Sequence, residues 1–105
     1  MTVLDSVYNE IGERVAFGKT GVLWQSTNKH RLLSYDECPN GKILGPEGNV
    51  IAKFSGGLVF AVDGDRIGEF QGSALLVDSK KVGMCRGNEG VKSAAIVAFS
   101  KGWFE

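Results

Sequence analysis

The residues able to do chemistry in this chain are few and far apart. There is one histidine, His30, and there are two cysteines, Cys38 and Cys85. A thiol becomes a nucleophile when a neighbouring base or cation favours its thiolate, so Cys38 with His30 is the pair that could serve a thiol-dependent enzyme. Cys38 precedes Pro39-Asn40-Gly41, a turn signal that places it near the surface. Cys85 shares a column with aromatic residues (below) and reads as a packed, inert thiol. Zinc needs three or four ligands, and the chain has no CxxC or CxxH pair. Neither a metal nor another cofactor is expected. Gly12 to Gly18-Lys19-Thr20 has the outline of a phosphate loop, but five residues separate its glycines where four are required. No catalytic set emerges, and the chain reads as a protein that binds rather than one that reacts.

Any site must be positioned by the elements around it, and these repeat. Gly64-Asp65-Arg66-Ile67-Gly68-Glu69-Phe70 has a counterpart sixteen residues earlier in Gly48-Asn49-Val50-Ile51-Ala52-Lys53-Phe54. Another stands fifteen residues later in Ser79-Lys80-Lys81-Val82-Gly83-Met84-Cys85. Gly12 to Gly18 and Ala94 to Ser100 have the same form, and Lys29 to Tyr35 is a weaker copy. The fourth column of these six copies is aliphatic throughout: Val15, Leu32, Ile51, Ile67, Val82 and Val97. The fifth is small except at Leu33: Ala16, Ala52, Gly68, Gly83 and Ala98. The seventh is aromatic in Tyr35, Phe54 and Phe70.

Apolar runs precede two of the copies, Leu58–Val62 before Asp63-Gly64 and Ala74–Val77 before Asp78-Ser79. Strand, turn, strand is the reading, since β-branched and large apolar residues suit strands and Asp-Gly suits a hairpin turn. The expected fold is all-β, a pseudo-symmetric repeat of antiparallel hairpins of 15–16 residues, closed or propeller-like, in a single domain over 1–105. Closure follows because a lone hairpin cannot bury its apolar face and an open edge invites aggregation. Residues 3–15 carry a weak helical pattern, but a strand from about Ser6 fits the repeat better.

The third column reads Arg14, Arg31, Val50, Arg66, Lys81 and Ile96. Twelve basic residues balance twelve acidic ones, so nothing steers the whole chain onto nucleic acid or an anionic membrane. Against that neutral background, Arg14, Arg31, Arg66 and Lys81 form the candidate ligand-binding set, a local positive ring for an anion or an acidic partner. Solvent-facing turn exits that merely tolerate cations are the alternative. Glu47, Asp63 and Asp78 recur just before the phrase and are explained by turn chemistry, with a cation-binding ring as the alternative. Trp103 and Phe104 either fasten the last unit onto the first or present an anchor to a partner.

The phrase G-x-x-[VI]-[AG]-x-F, preceded by an apolar strand and an acidic turn, resembles the bacterial 4-fold β-flower domain. The resemblance runs from Val7 to Phe99 and is closest over Tyr8–Phe17, Leu44–Phe54 and Phe60–Phe70. It departs in having six copies rather than four, and in the stretch Gln25 to Gly41, which breaks the spacing and carries Pro39. The resemblance implies a small β domain of pseudo-symmetric hairpins and carries no activity. The expectation is a non-enzymatic binding or scaffold module of bacterial type, working through a protein partner or self-association. With no signal-peptide pattern or long apolar run, and cysteines too few for a disulfide framework, a cytoplasmic, non-membrane protein with free thiols is expected.

Overall fold

The computed structural model describes residues 5–27, 29–36 and 40–104. Ten strands come first in the chain: β1 (Asp5–Asn9), β2 (Arg14–Lys19), β3 (Val22–Gln25), β4 (Arg31–Tyr35), β5 (Gly41–Leu44), β6 (Val50–Ser55), β7 (Leu58–Ala61), β8 (Arg66–Gln71), β9 (Ala74–Val77) and β10 (Lys80–Arg86). One helix follows, α1 (Glu89–Ser100). Each strand pairs antiparallel with its neighbours in sequence, and β1 pairs with β10, so the sheet closes into a barrel without an edge. The expected all-β closed fold is the one found.

The six copies of the phrase fall on different elements. Five lie on β2, β4, β6, β8 and β10, each the second strand of a hairpin. The sixth, Ala94 to Ser100, is not a strand but the C-terminal half of α1. Its columns mimic the repeat because a helix packed inside a barrel also needs aliphatic and small residues. Two features favour helix there. Asn88 accepts a hydrogen bond from the Val91 amide at 2.9 Å, a capping contact that starts a helix. No sheet edge remains for another strand, since β10 already pairs with both β1 and β9.

Helix α1 runs through the barrel. It touches β1 and β3 to β10, and Val91 fills the space beside Gly18 of β2. Gly90, Val91, Ser93, Ala94, Ala95, Ile96, Val97 and Ala98 are all buried, as expected of a helix apolar all round. The interior of an eight-stranded barrel is filled by side chains or one small ligand, and the wider ten-stranded one admits a helix of small residues.

The inner wall is built from two rows. Val7, Leu23, Ile43, Val59 and Leu75 come from the odd-numbered strands and are fully buried. The fifth column of the phrase, on the even-numbered strands, faces the helix. At Gly68 a Cβ would overlap the Leu76 carbonyl and lie 2.8 Å from Ile96 Cγ2. At Gly83 it would overlap the Tyr8 carbonyl and lie 2.8 Å from the Phe99 ring. Ala16 and Ala52 accommodate a methyl, and Leu33 a whole side chain. This column therefore gauges the gap between helix and wall, which is narrowest at β8 and β10 and widest at β4.

The fourth column has a structural job that sequence alone did not reveal. Every hairpin carries a bulge at this column, because the register skips Val15, Leu32, Ile51, Ile67 and Val82. In a regular strand, residues two before an inward position also point inward. The extra residue instead pairs Arg14, Val50, Arg66 and Lys81 with the outer-row residues Tyr8, Leu44, Phe60 and Leu76, and Arg31 with Trp24. The bulge keeps the cations out of the barrel and adds the local twist that closure needs. All five bulges lie beside the turns β1–β2, β3–β4, β5–β6, β7–β8 and β9–β10, so they share one rim.

Candidate binding rim

The bulged rim is where the functional candidates gather. Helix α1 delivers Phe99 to it, and the chain continues through Gly102, whose amide bonds the Phe99 carbonyl at 3.1 Å. Trp103 and Phe104 then pack against the core, with Phe104 edge-on to Phe99 at 4.8 Å between ring centres. The bulged residues Val15, Leu32, Ile51, Ile67 and Val82 also pack on the core. The aromatics thus close this end of the barrel.

Four shallow recesses among the described residues lie along this rim, each at a bulge. The first, about 230 Å3, is lined by Gln25, Arg31, Leu32, Pro46 and Trp103. The second, about 360 Å3, lies between Ile11, Val82, Phe99 and Phe104. The third, about 310 Å3, is polar and includes Arg66, Glu69, Asp78 and Ser79. The fourth, about 230 Å3, joins Glu13, Arg14, Val15, Gln25 and Phe104.

Arg14, Arg31, Arg66 and Lys81 are all exposed and lie on successive hairpins, except that Val50 takes the place on β6. They form an interrupted ring on the outer wall. Neighbours are two strands apart, roughly 10 Å at ordinary strand spacing. The ring does not converge on one point, and its members differ in their surroundings. Arg14 lies over the Phe17 ring at 5.5 Å, with Lys29 on the same ring at 5.1 Å. Arg66 shares its recess with two carboxylates. Arg31 is held by its Nη2, which donates to Ser34 Oγ at 2.9 Å, and no carboxylate of the described residues lines its recess. Lys81 lines none of the four recesses.

The remaining candidates are placed as follows. Cys85 is fully buried beside the helix, and burial, with Asp5 adding and Lys92 opposing, pushes its thiol up to about 12. It is a packed thiol with no thiolate at neutral pH. His30 is exposed and precedes β4 at the bulged rim. Cys38 lies outside the described residues, and the flanking Asp36 and Asn40 follow β4 at the opposite end of the barrel. The phosphate-loop outline is a turn and the strand β2, with Gly12 in the turn and Gly18 near the end of the strand. Glu47, Asp63 and Asp78 are exposed turn residues, and no group of three or more metal-ligating side chains occurs among the described residues. Asp63 acts locally, its Oδ1 accepting from the Asp65 amide at 3.1 Å. No helix is long and apolar enough to cross a membrane.

No family model, curated protein or solved structure matches this chain. Its function has to be argued from the rim itself. Gln25, Pro46 and Ile11 are rim residues that the sequence did not single out. They carry no chemical signature, and only the register shift at each hairpin brings them beside the aromatic closure.

Proposed function

We propose that the chain is a non-enzymatic binding module whose contact surface is the bulged rim. The partner is a protein surface that is acidic and partly apolar. The observation that carries this reading is the filled barrel. With α1 occupying the lumen, the recesses described above lie at the rim instead of inside the barrel. The cations Arg14, Arg31, Arg66 and Lys81 stand around that rim. Ile11 is 78% exposed and Val62 61% exposed, both in rim turns, which supplies apolar anchors alongside the charge. Kinship with the bacterial 4-fold β-flower domain belongs to the same proposal. Its support is the recurrence of one bulged hairpin, here five times rather than four.

The test uses fluorescently labelled polyglutamate as an acidic probe, followed by anisotropy at low and physiological salt. Binding that weakens with salt and disappears in the Arg14→Glu/Arg66→Glu double variant, with melting temperature unchanged, supports the reading. Binding that survives this double charge reversal overturns it.

A further inference from the structure

The four recesses are not equivalent, and one of them has the chemistry of a specific pocket. We infer that the recess between Arg31 and Trp103 binds an apolar residue-sized group carrying a free carboxylate, either a small free acid or the C-terminal residue of a peptide. This inference rests on the binding-rim reading and deepens it.

The lining is one-sided in charge. Arg31 is the only charged residue among Gln25, Arg31, Leu32, Pro46 and Trp103. Its hydrogen bond to Ser34 Oγ fixes one end of the guanidinium and leaves the other donors of the fork to a ligand. Gln25 and Trp103 add an amide and an indole N–H to the lining. Among the described residues, every polar side chain lining the recess can donate, and no carboxylate lines it to compete for Arg31. A carboxylate is the group that satisfies such a set. The rest of the lining is Leu32, Pro46 and the Trp103 ring, which suits an apolar or planar body. The volume, about 230 Å3, is below the usual ~300–1,000 Å3 of pockets for drug-sized ligands and fits one residue.

The other recesses lack this combination. The Arg66 recess contains Glu69 and Asp78, the Arg14 recess contains Glu13, and the Ile11 groove contains Glu10 and no cation. The backbone also holds the Arg31 recess in shape. The Gln25 amide bonds the His30 carbonyl at 2.8 Å, and the Trp103 amide bonds the Ala98 carbonyl at 3.1 Å.

The chain has two tryptophans, so Trp24→Phe leaves Trp103 as the sole tryptophan, excited selectively at the red edge of its absorption. The probes are N-acetyl-phenylalanine, its amide, and a tetrapeptide ending in phenylalanine with a free or amidated C-terminus. Saturable change of Trp103 fluorescence with the two carboxylates and not with the two amides is the expected result. Arg31→Gln should weaken binding about tenfold or more. Lys53→Gln, an exposed charge on β6 outside the rim set, should leave it unchanged, and Arg31→Gln must keep the parent's circular dichroism. Tighter binding of the peptide than of the free acid assigns the pocket to a chain end, and equal binding assigns it to a small acid. Amides that bind as well as carboxylates, no saturable change with any probe, or a fully active Arg31→Gln would overturn the proposal. If the small carboxylates fail while polyglutamate still binds through Arg14 and Arg66, the rim reading stands and only the pocket falls. Failure of polyglutamate with retained carboxylate binding removes the ring and keeps the pocket.

Discussion

Replacing Gly68 by alanine should destabilise the barrel far more than a single methyl suggests. Gly68 has an ordinary negative φ, so its backbone accepts alanine. Exchange in a strand would on its own favour alanine by about 0.5–1 kcal/mol. Against this stands the packing. The new Cβ would overlap the Leu76 carbonyl oxygen and sit 2.8 Å from Ile96 Cγ2. The first obstacle is backbone in the paired strand β9, and the second is a fully buried side chain of the central helix. Neither is the free end of a flexible group. Overpacking of this kind costs about 1–3 kcal/mol, and the backbone obstacle puts Gly68 at the upper end. The net loss is then about 2 kcal/mol, or roughly 8–16 °C in Tm for a domain of this size. Urea unfolding followed by circular dichroism measures it, with an unchanged slope expected in denaturant. Gly18→Ala is the comparison, because there the Cβ meets the Tyr35 hydroxyl and Val91 Cγ2, both side-chain atoms, and the loss should be smaller. A Gly68→Ala protein as stable as the parent, or Gly18→Ala as the worse of the two, would refute the gauge reading of this column.

Other outcomes follow from the same packing. Cys85 is held protonated to about 12 against an ordinary value of 9.0, so the folded state keeps a proton that the unfolded chain releases. Stability should fall as pH rises between those values, by at most ~1.4 kcal/mol per unit, and Cys85→Ala should remove that part of the slope. In a Cys38→Ser background, Cys85 should resist a thiol reagent at pH 8 until denaturant is added. Asn88→Ala removes the bond to the Val91 amide and should cost about 1 kcal/mol in urea unfolding. Ser93 is buried, yet its hydroxyl bonds only the Glu89 carbonyl one turn back, so Ser93→Ala should change stability by less than about 1 kcal/mol.

The strands were legible because their signals are local. Asp63-Gly64 marks a turn, and the expected run Ala74–Val77 is β9 residue for residue. The aliphatic, small and aromatic columns were visible as well, and the last two do share the inner face at Ala52 and Phe54. The helix was missed because Ala94 to Ser100 satisfies the columns of the repeat. Its one distinguishing mark, Asn88 ahead of an alanine-rich run, is weak beside a repeat that five other copies carry. The bulges were invisible because they are a property of pairing: Ile67 is extra only by comparison with β7. For the same reason the cation column could be read from the sequence and its neighbourhoods could not. Arg31 and Arg66 occupy equivalent places in the phrase, but only the fold puts Glu69 and Asp78 beside one and Trp103 beside the other.

The position of α1 in the chain order has a consequence for biosynthesis. All ten strands leave the ribosome before the segment that fills the space between them. At about 5–20 residues per second, the twelve residues of the helix take about 0.6–2.4 seconds to make. During that interval the nascent sheet has no lining for Leu23, Ile43, Val59 and Leu75, and β1 and β10 have little reason to meet. A seam still open at that stage would offer a chaperone or a second nascent chain two unpaired strand edges.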